Sequence, residues 1–225
     1  MEKKEFSEGA LPSVTVDVVI FTIKDDDLKV LLIKRSIEPF KDLWALPGGF
    51  IKDSESLEKA AERKLMDETG VKDIYLEQLY TFGSPERDPR ARIVTVAYFA
   101  LIKPRDIGHK KKWDVSDVQW ASAYKLPKLA FDHSKIVEYA LKRLRWKLEY
   151  TTVGFQLLPE KFTLTQVQDI YETILGKKFD KRNFRKKILE LGLVKPSREI
   201  LKDVAHRPAR LYTLSKKIGD IIEII

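Results

Sequence analysis

The sequence predicts an α+β protein with two domains, residues 1–150 and residues 151–225. Runs of β-branched residues with alternating polarity at 13–23 and 28–35 predict the two strands of a hairpin. Apolar residues at helical spacing over 57–69 predict a helix after these strands. The last third of the chain predicts short helices and carries most of the excess positive charge. These observations indicate a mixed sheet-and-helix domain followed by a smaller basic domain.

The composition favours a protein of a reducing compartment. Of the 225 residues, 44% are hydrophobic, which is enough for a sizeable core, and 34% are charged. The absence of cysteine excludes disulfides and thiol chemistry. The charged start, MEKKEFSEG, lacks the apolar run of a signal peptide, and no apolar stretch is long enough to span a membrane. We therefore expect a cytoplasmic protein that does not interact with membranes.

The net charge of +8 is unevenly distributed along the chain. Residues 151–225 contain 15 Lys and Arg against 9 Asp and Glu, a net of +6, whereas residues 1–150 contain 27 against 25, a net of +2. A basic domain attached to a nearly neutral one is typical of proteins that bind nucleic acid. A basic domain without such a partner is the alternative.

Residues 48–71 read GGFIKDSESLEKAAERKLMDETGV and are the most informative stretch of the first domain. A glycine pair leads into a polar loop, and Ser56 is suited to cap the helix that follows. Gly70 provides the stop signal at the other end of the helix. One stripe of this helix is apolar and is expected to face a core; it comprises Leu57, Ala60, Ala61 and Leu65.

This loop and helix resemble the Nudix box, G-x5-E-x7-R-E-U-x-E-E-x-G-U with U apolar. The matching residues are Gly49, Glu55, Arg63, Leu65, Glu68, Gly70 and Val71, with Asp67 as a conservative replacement for a glutamate. The resemblance implies a Nudix α/β/α sandwich with a mixed sheet. One position departs from the pattern, because Lys64 stands where the box has the glutamate that follows its arginine.

Lys64 is expected to impair catalysis. In Nudix hydrolases the missing glutamate and the one four residues later are the usual ligands of a catalytic Mg²⁺, and residues four apart share a helix face. Lys64 would therefore place a cation beside Glu68, which repels Mg²⁺. We expect no metal, no cofactor and no catalytic residues, only a residual box of Glu55, Arg63, Asp67 and Glu68. In the alternative, Lys64 turns outward and Glu55, Asp67 and Glu68 hold Mg²⁺ in an active ADP-ribose pyrophosphatase.

The segment GSPERDPRA, residues 83–91, joins two further predicted strands at 74–81 and 92–102. Its guanidinium groups are predicted to face the box, where they can bind a diphosphate or a carboxylate. The alternative is a solvated turn with a local ion pair to Asp88. The predicted effector-binding residues are Arg35, Gly49, Lys64, Glu68, Arg87 and Arg90. A short strand at 118–121 and a helix at about 134–148 complete the domain.

The second domain predicts a pair of short helices. Thr163 and Gln166 form the sequence pattern of a capping box, and Gly176 ends the first helix. Asp180 is suited to cap a second helix over 181–191. Two short helices joined by a brief turn resemble a helix-turn-helix. The outward face of the second helix is suited to DNA phosphates and base edges; it comprises Lys181, Arg182, Asn183, Arg185, Lys186 and Lys187.

A basic hairpin is predicted after the second helix. Leu193 and Val194 start one strand, residues 211–214 form the returning strand, and the segment between them includes Arg207 and Arg210. Such a hairpin would be the wing of a winged helix-turn-helix domain that contacts double-stranded DNA. A solvated basic surface is the alternative.

The whole chain resembles the Nudix-related transcriptional regulators. The most specific stretches are ALPGGF (45–50), FGSPERDPR (82–90), LLPEKFTLTQVQDIYETILG (157–176) and DKRNFRKK (180–187). The resemblance implies that a non-hydrolysing Nudix domain senses a small molecule: ADP-ribose in the branch that controls NAD metabolism, or a sugar in branches that control pentose use. It also implies a homodimer on a palindromic operator, with the effector changing the affinity for DNA.

Overall fold

The computed structural model of the protein describes residues 11–70, 74–103, 114–201, 209–222 and 224. Val71 of the box and Arg207 of the predicted wing lie outside the described residues. Strand β1 (Ser13–Lys24) and strand β2 (Asp27–Arg35) form the predicted hairpin, with Lys24 opposite Asp27. Asp25 and Asp26 turn the chain at φ of 53° and 54°. This is the backbone of a two-residue hairpin turn, which aspartate tolerates better than most residues.

The first domain contains a seven-stranded mixed sheet. Its further strands are β3 (Trp44–Ala45), β4 (Gly48–Phe50), β5 (Leu76–Phe82), β6 (Ile93–Leu101) and β7 (Val115–Ser122). The main order is β3-β2-β1-β6-β5, while β4 pairs with β1 and β7 pairs with β2. The β1–β6 pair is parallel, and the other pairs are antiparallel. The predicted strand at 118–121 is therefore the middle of a longer strand, β7.

Helices cover both faces of the sheet, as expected for the predicted α/β/α sandwich. Successive residues of β1 point to opposite faces. Helix α1 (Leu57–Thr69) packs on one face of the sheet. Its side chains Ala60, Ala61 and Leu65 lie there against Val16, Val18 and Ile20 of β1. Helix α2 (His133–Tyr150) packs on the other face. Its side chains Ile136, Val137, Ala140 and Leu144 share a core with Val19 and Phe21 of β1. Ser56 caps α1 by accepting a hydrogen bond from the Lys59 amide, and Gly70 ends the helix at φ 67°.

The second domain is a winged helix-turn-helix. A 3-10 helix (Val153–Leu157) leads to helix α3 (Leu164–Leu175), whose predicted capping box between Thr163 and Gln166 is formed. Helix α4 (Lys181–Glu190) is capped by Asp180, as predicted. Strands β8 (Val194–Leu201) and β9 (Ala209–Leu214) form the antiparallel wing.

The two domains share one continuous hydrophobic core, which runs from β1 through α2 and α3 to α4. At its edge the Tyr124 hydroxyl donates to the Thr173 carbonyl at 2.7 Å, at the end of α3. The chain after the wing returns to this junction: the Ile222 amide donates to the Tyr150 carbonyl at 2.7 Å, and the Ile224 amide donates to the Glu149 carbonyl at 2.7 Å. The boundary after residue 150 remains a prediction. Among the described residues, no helix has the length and apolar character needed to cross a membrane.

Candidate functional site

A cavity of about 230 Å³ opens beside the glycine segment of β4, which consists of Gly48 and Gly49. Its wall comes from β1, β2, β4, α1, the loop before β6 and the start of α2. Among the described residues, the ionisable side chains that line it are Asp17, Arg35, Lys64, Arg87, Asp88, Arg90, Asp114 and His133. Four of these are cations and three are carboxylates, so the cavity is strongly polar and slightly positive when His133 is neutral.

A buried ion network forms one side of this cavity. The Arg87 guanidinium donates to both carboxylate oxygens of Asp132, from Nε at 3.1 Å and from Nη2 at 2.8 Å. Nη2 also lies 3.4 Å from Asp17 Oδ2. The Arg87 and Asp17 side chains are 3% and 8% exposed, so water screens this pairing little. Arg87 therefore lines the cavity and also joins β1 to the start of α2.

His133 extends this network. Its Nδ1 accepts a hydrogen bond from the Leu46 amide at 2.9 Å, which places the proton of the neutral ring on Nε2, facing Asp17 Oδ1 at 3.7 Å. Burial lowers the pKa of His133 below its ordinary value, and the coulombic attraction of Asp17 opposes this effect only in part. His133 is thus a neutral histidine with a structural role, between the Leu46 amide and the Asp17 carboxylate.

Two arginines share an aromatic side chain at the mouth of the cavity. The Arg35 and Arg90 guanidinium carbons lie 5.0 and 5.6 Å from the centre of the Phe131 ring. Phe131 adopts φ 54°, a left-handed conformation that is costly for a bulky residue and directs its ring into this position. Arg90 also lies 5.7 Å from the ring centre of Phe50, whose side chain is half exposed.

Local hydrogen bonds orient both arginines. Arg90 donates from Nε and Nη2 to the two oxygens of Asp88, at 2.9 and 2.7 Å, which is the local ion pair considered as the alternative for this loop. Burial would raise the pKa of Asp88, but hydrogen bonds from Arg90 outweigh it and lower the pKa. The Arg35 Nε donates to the Pro39 carbonyl at 2.8 Å. Arg90 is therefore paired with Asp88, as the alternative for this loop proposed, and it also lines the cavity.

Lys64 reaches the glycine segment. Its Nζ lies 2.8 Å from the point that a Cβ on Gly49 would occupy, and Gly49 has φ 151°, which disfavours any side chain. Both residues line the cavity. Lys64 thus turns toward the cavity, as the first interpretation expected, and the outward orientation of the alternative is not observed.

The acidic residues of the box do not fit a Mg²⁺ site. The Glu55 carboxylate binds the Arg63 guanidinium through both oxygens, and this pairing lowers its pKa to about 2. Within the part of the chain that the structure describes, no three Asp, Glu or His side chains come together as metal ligands. Lys64 places a cation at the position where the box pattern has the glutamate that follows its arginine.

Five of the six predicted effector-binding residues line the cavity, namely Arg35, Gly49, Lys64, Arg87 and Arg90; Glu68 is half-buried on α1 and is not part of the lining. Sequence reasoning missed Asp17, Asp132 and Phe131. Asp17 offered a signal, because it is the only charged residue in the apolar run SVTVDVVIFTI. No local pattern distinguishes Asp132 or Phe131 from ordinary helix-start residues.

The second site is the exposed face of α4. Lys181, Arg182, Asn183, Lys186 and Lys187 are exposed along this helix. Arg185 differs, since it is half-buried and its Nη2 donates to the Thr165 hydroxyl at 2.7 Å at the start of α3. Arg210 is exposed on β9 of the wing. The cations of α4 and the wing are thus available to a polyanion.

Comparison with known proteins identifies both domains. The model of the NUDIX domain matches residues 13–140, and that of the NrtR DNA-binding winged helix domain matches residues 154–214. The "ADPR responsive transcriptional repressor NtrR" of Acinetobacter baylyi is 42% identical over 214 residues, which cover 92% of this chain and 83% of that protein. The chain belongs to the NrtR family of Nudix-related transcriptional regulators.

Two solved structures extend the similarity to the NrtR family. Shewanella oneidensis NrtR complexed with a 27mer DNA is 40% identical, with a TM-score of 0.77 and coverage of 90% of this chain and 93% of that one. The NUDIX domain of the same protein, complexed with ADP ribose, is 45% identical, with a TM-score of 0.55 and coverage of 60% of this chain and 90% of that one.

Proposed function

We propose that this NrtR-family protein is an ADP-ribose-responsive transcriptional repressor that acts as a cytoplasmic homodimer on operator DNA. The observation that carries the proposal is the presence, in one chain with a continuous core, of a polar cavity in a Nudix domain and a basic exposed helix in a winged helix domain. The similarity to the Acinetobacter repressor over 92% of the chain supports both halves.

The chemistry of the cavity suits ADP-ribose. Its diphosphate would lie toward the cations Arg35, Lys64 and Arg90, which line one continuous space. Its ribose hydroxyls are donors that suit the carboxylates of Asp88 and Asp114 in the same wall. The exposed face of Phe50 offers a stacking surface for the adenine. We assign effector binding to these residues.

The α4 face suits operator DNA. Its exposed lysines and arginines would neutralise phosphates, and Asn183 offers the paired donor and acceptor that read an adenine edge. Arg210 on the wing would contact the adjacent backbone. Two copies of the winged helix related by a two-fold axis would match a palindromic operator, with half-sites about one helical turn apart.

Effector and DNA would be coupled through the shared core. ADP-ribose can change operator affinity only by binding two arrangements of the domains with different affinity. Helix α2 begins at the cavity with His133 and packs against α3 of the DNA-binding domain, so it connects the two sites. We propose that its position relative to α3 differs between the two arrangements.

Fluorescence anisotropy with a labelled duplex from the DNA upstream of the protein's own gene tests the proposal. We expect specific binding that weakens steeply with salt, and ADP-ribose is expected to change the affinity. The double variant Arg182→Ala, Lys186→Ala should lose DNA binding and keep ADP-ribose binding, whereas Lys128→Ala, an exposed cation of the first domain, should change neither. Unchanged DNA affinity of the double variant would refute the assignment of α4.

Incubation with ADP-ribose and Mg²⁺ tests the remaining enzymatic alternative. The pairing of Glu55 with Arg63 and the position of Lys64 lead us to expect no turnover. Rapid release of AMP and ribose 5-phosphate would show that the Nudix domain is an active pyrophosphatase.

A further inference from the structure

The position of Lys64 suggests more than a lost metal site. We propose that the Lys64 ammonium takes the place of the divalent cation of Nudix hydrolases, so that this cavity binds the diphosphate of its effector without any metal. This inference rests on the proposed function, since it concerns how the same cavity recognises ADP-ribose.

The geometry at Gly49 supports this replacement. The Lys64 Nζ lies 2.8 Å from the Cβ position of Gly49, and the Lys64 Cε lies 3.0 Å from it. A side chain at residue 49 would therefore displace the ammonium, and the φ of 151° disfavours one independently. Glycine at 49 and lysine at 64 fit each other, which places a positive charge directly against the backbone of the glycine segment.

The charges of the lining explain why this ammonium matters. Arg87 is held by Asp132 and Asp17, and Arg90 is held by both oxygens of Asp88, so carboxylates of the protein fix the orientation of both guanidinium groups. A diphosphate diester carries two negative charges at neutral pH and needs compensation from the wall. Among the described residues of the lining there are four cations and three carboxylates, so removal of Lys64 would cancel the net positive charge of this group.

The same arrangement disfavours a metal ion. Mg²⁺ requires oxygen ligands, usually carboxylates with bound water, and Glu55 directs both oxygens to Arg63. Among the described residues, no three Asp, Glu or His side chains come together as metal ligands, and the Lys64 ammonium beside the glycine segment would repel a metal cation. A lysine ammonium provides three donors without a hydration shell of fixed octahedral geometry, so it can neutralise phosphate oxygens on its own.

Isothermal titration calorimetry of the full-length protein with ADP-ribose, in EDTA and in MgCl₂, tests the inference. We expect the same Kd in both buffers for the unmodified protein. Lys64→Met preserves length and removes the charge, and should weaken binding by about tenfold or more in both buffers, as expected for the loss of a charge-assisted contact. Lys59→Met, on the exposed side of the same helix, should leave Kd unchanged.

Lys64→Glu provides the sharper variant. It places a carboxylate four residues before Glu68, and we expect weak binding in EDTA that recovers when MgCl₂ is added. A circular dichroism melt of each variant verifies folding. A Kd of the unmodified protein that improves with MgCl₂, or a Lys64→Met variant that binds normally, would overturn the inference.

Failure of the proposed function is distinguishable from failure of this inference. If the unmodified protein binds no ADP-ribose in either buffer, the effector assignment is wrong. Inorganic pyrophosphate then serves as the probe. Metal-independent binding that Lys64→Met abolishes would support the inference, and its absence would overturn it.

Discussion

The Tyr124 hydroxyl shares its proton between the Thr173 carbonyl at 2.7 Å and the Ile174 carbonyl at 3.2 Å, and the Arg145 Nε donates to the same Ile174 carbonyl at 3.0 Å. Tyr124 follows β7 and Arg145 lies on α2, so both belong to the first domain, whereas Ile174 is in the last turn of α3. Carbonyls in the last turn of a helix lack partners within the helix and carry partial negative charge. The Nudix domain therefore caps the first helix of the helix-turn-helix.

Tyr124→Phe is expected to destabilise the protein by about 1 kcal/mol, because it removes one hydrogen-bond donor without changing the packing of the ring. Chemical denaturation measures this loss. A double-mutant cycle with Arg145→Met should show coupling, because both donors share the Ile174 carbonyl.

Lys142→Met is the matched control for that cycle, since Lys142 is an exposed cation on the same helix with its Nζ over the Trp146 ring. Strict additivity of Tyr124→Phe and Arg145→Met would show that the shared carbonyl contributes nothing to the junction.

Gly48→Ala is expected to lower stability by about 1–3 kcal/mol, as overpacking does. Its Cβ would lie 2.1 Å from Asp17 Oδ1 and 2.7 Å from the Val16 carbonyl oxygen, so Asp17 would have to move away from Arg87. Thermal melting and ADP-ribose titration should both show a loss.

Gly83→Ala provides the comparison, because the nearest atom to its Cβ would be Val94 Cγ2 at 3.7 Å, an ordinary contact. Equal losses for both substitutions would show that the network around Asp17 does not constrain the glycine segment.

His133 is expected to make stability depend on pH. Its pKa is lowered in the folded protein, so below about pH 6.5, the ordinary value for histidine, the unfolded chain takes up a proton that the folded chain refuses. Stability should therefore be fully present above this pH and should fall as the pH decreases below it, by up to about 1.4 kcal/mol per pH unit.

His133→Asn isolates this contribution, because an asparagine oxygen can still accept from the Leu46 amide but does not titrate. Urea denaturation between pH 5 and 8 should give a shallower pH dependence for the variant. Asp17, Asp132, Arg87 and Arg35 surround residue 133 in both proteins, so the difference between the two curves isolates the titration of the imidazole. Parallel curves would contradict the prediction.

Arg182→Ala and Arg185→Ala should behave differently. Arg182 is exposed, so its loss should weaken DNA binding and reduce the salt dependence by about one ion, at unchanged stability. Arg185→Ala also removes the bond to Thr165 and should cost about 0.5 kcal/mol of stability. Thr165→Val removes that bond while keeping the charge, so normal DNA binding by this variant would show that Arg185 acts through its charge.

Local sequence patterns predicted the parts of the fold that depend on neighbouring residues. The cap at Ser56, the capping box of Thr163 and the cap at Asp180 all occur as predicted, because each requires only residues three positions apart. The departure of Lys64 from the Nudix box was likewise visible without any structure.

Features that depend on distant residues were not predictable in this way. Arg87 meets Asp17 across 70 positions, and the Leu46 amide meets His133 across 87. Helical spacing alone would put Tyr139 on the buried face of α2 beside Ile136, yet Tyr139 is 37% exposed and packs against Tyr80 and Phe82. Pairing across the sheet brings these residues together, and helical or strand periodicity carries no information about it.

The return of the chain after the wing has a practical consequence for dividing this protein. The winged helix family model ends at residue 214, yet the Thr152 amide donates to the Asp220 carbonyl, and the Ile224 side chain is 1% exposed. Residues 217–222 and 224 therefore hold the end of α2, an element of the first domain, although they follow the second domain in the chain. A fragment that ends at residue 150 or at residue 214 would lack these residues and would lose the contacts that they make with the end of α2.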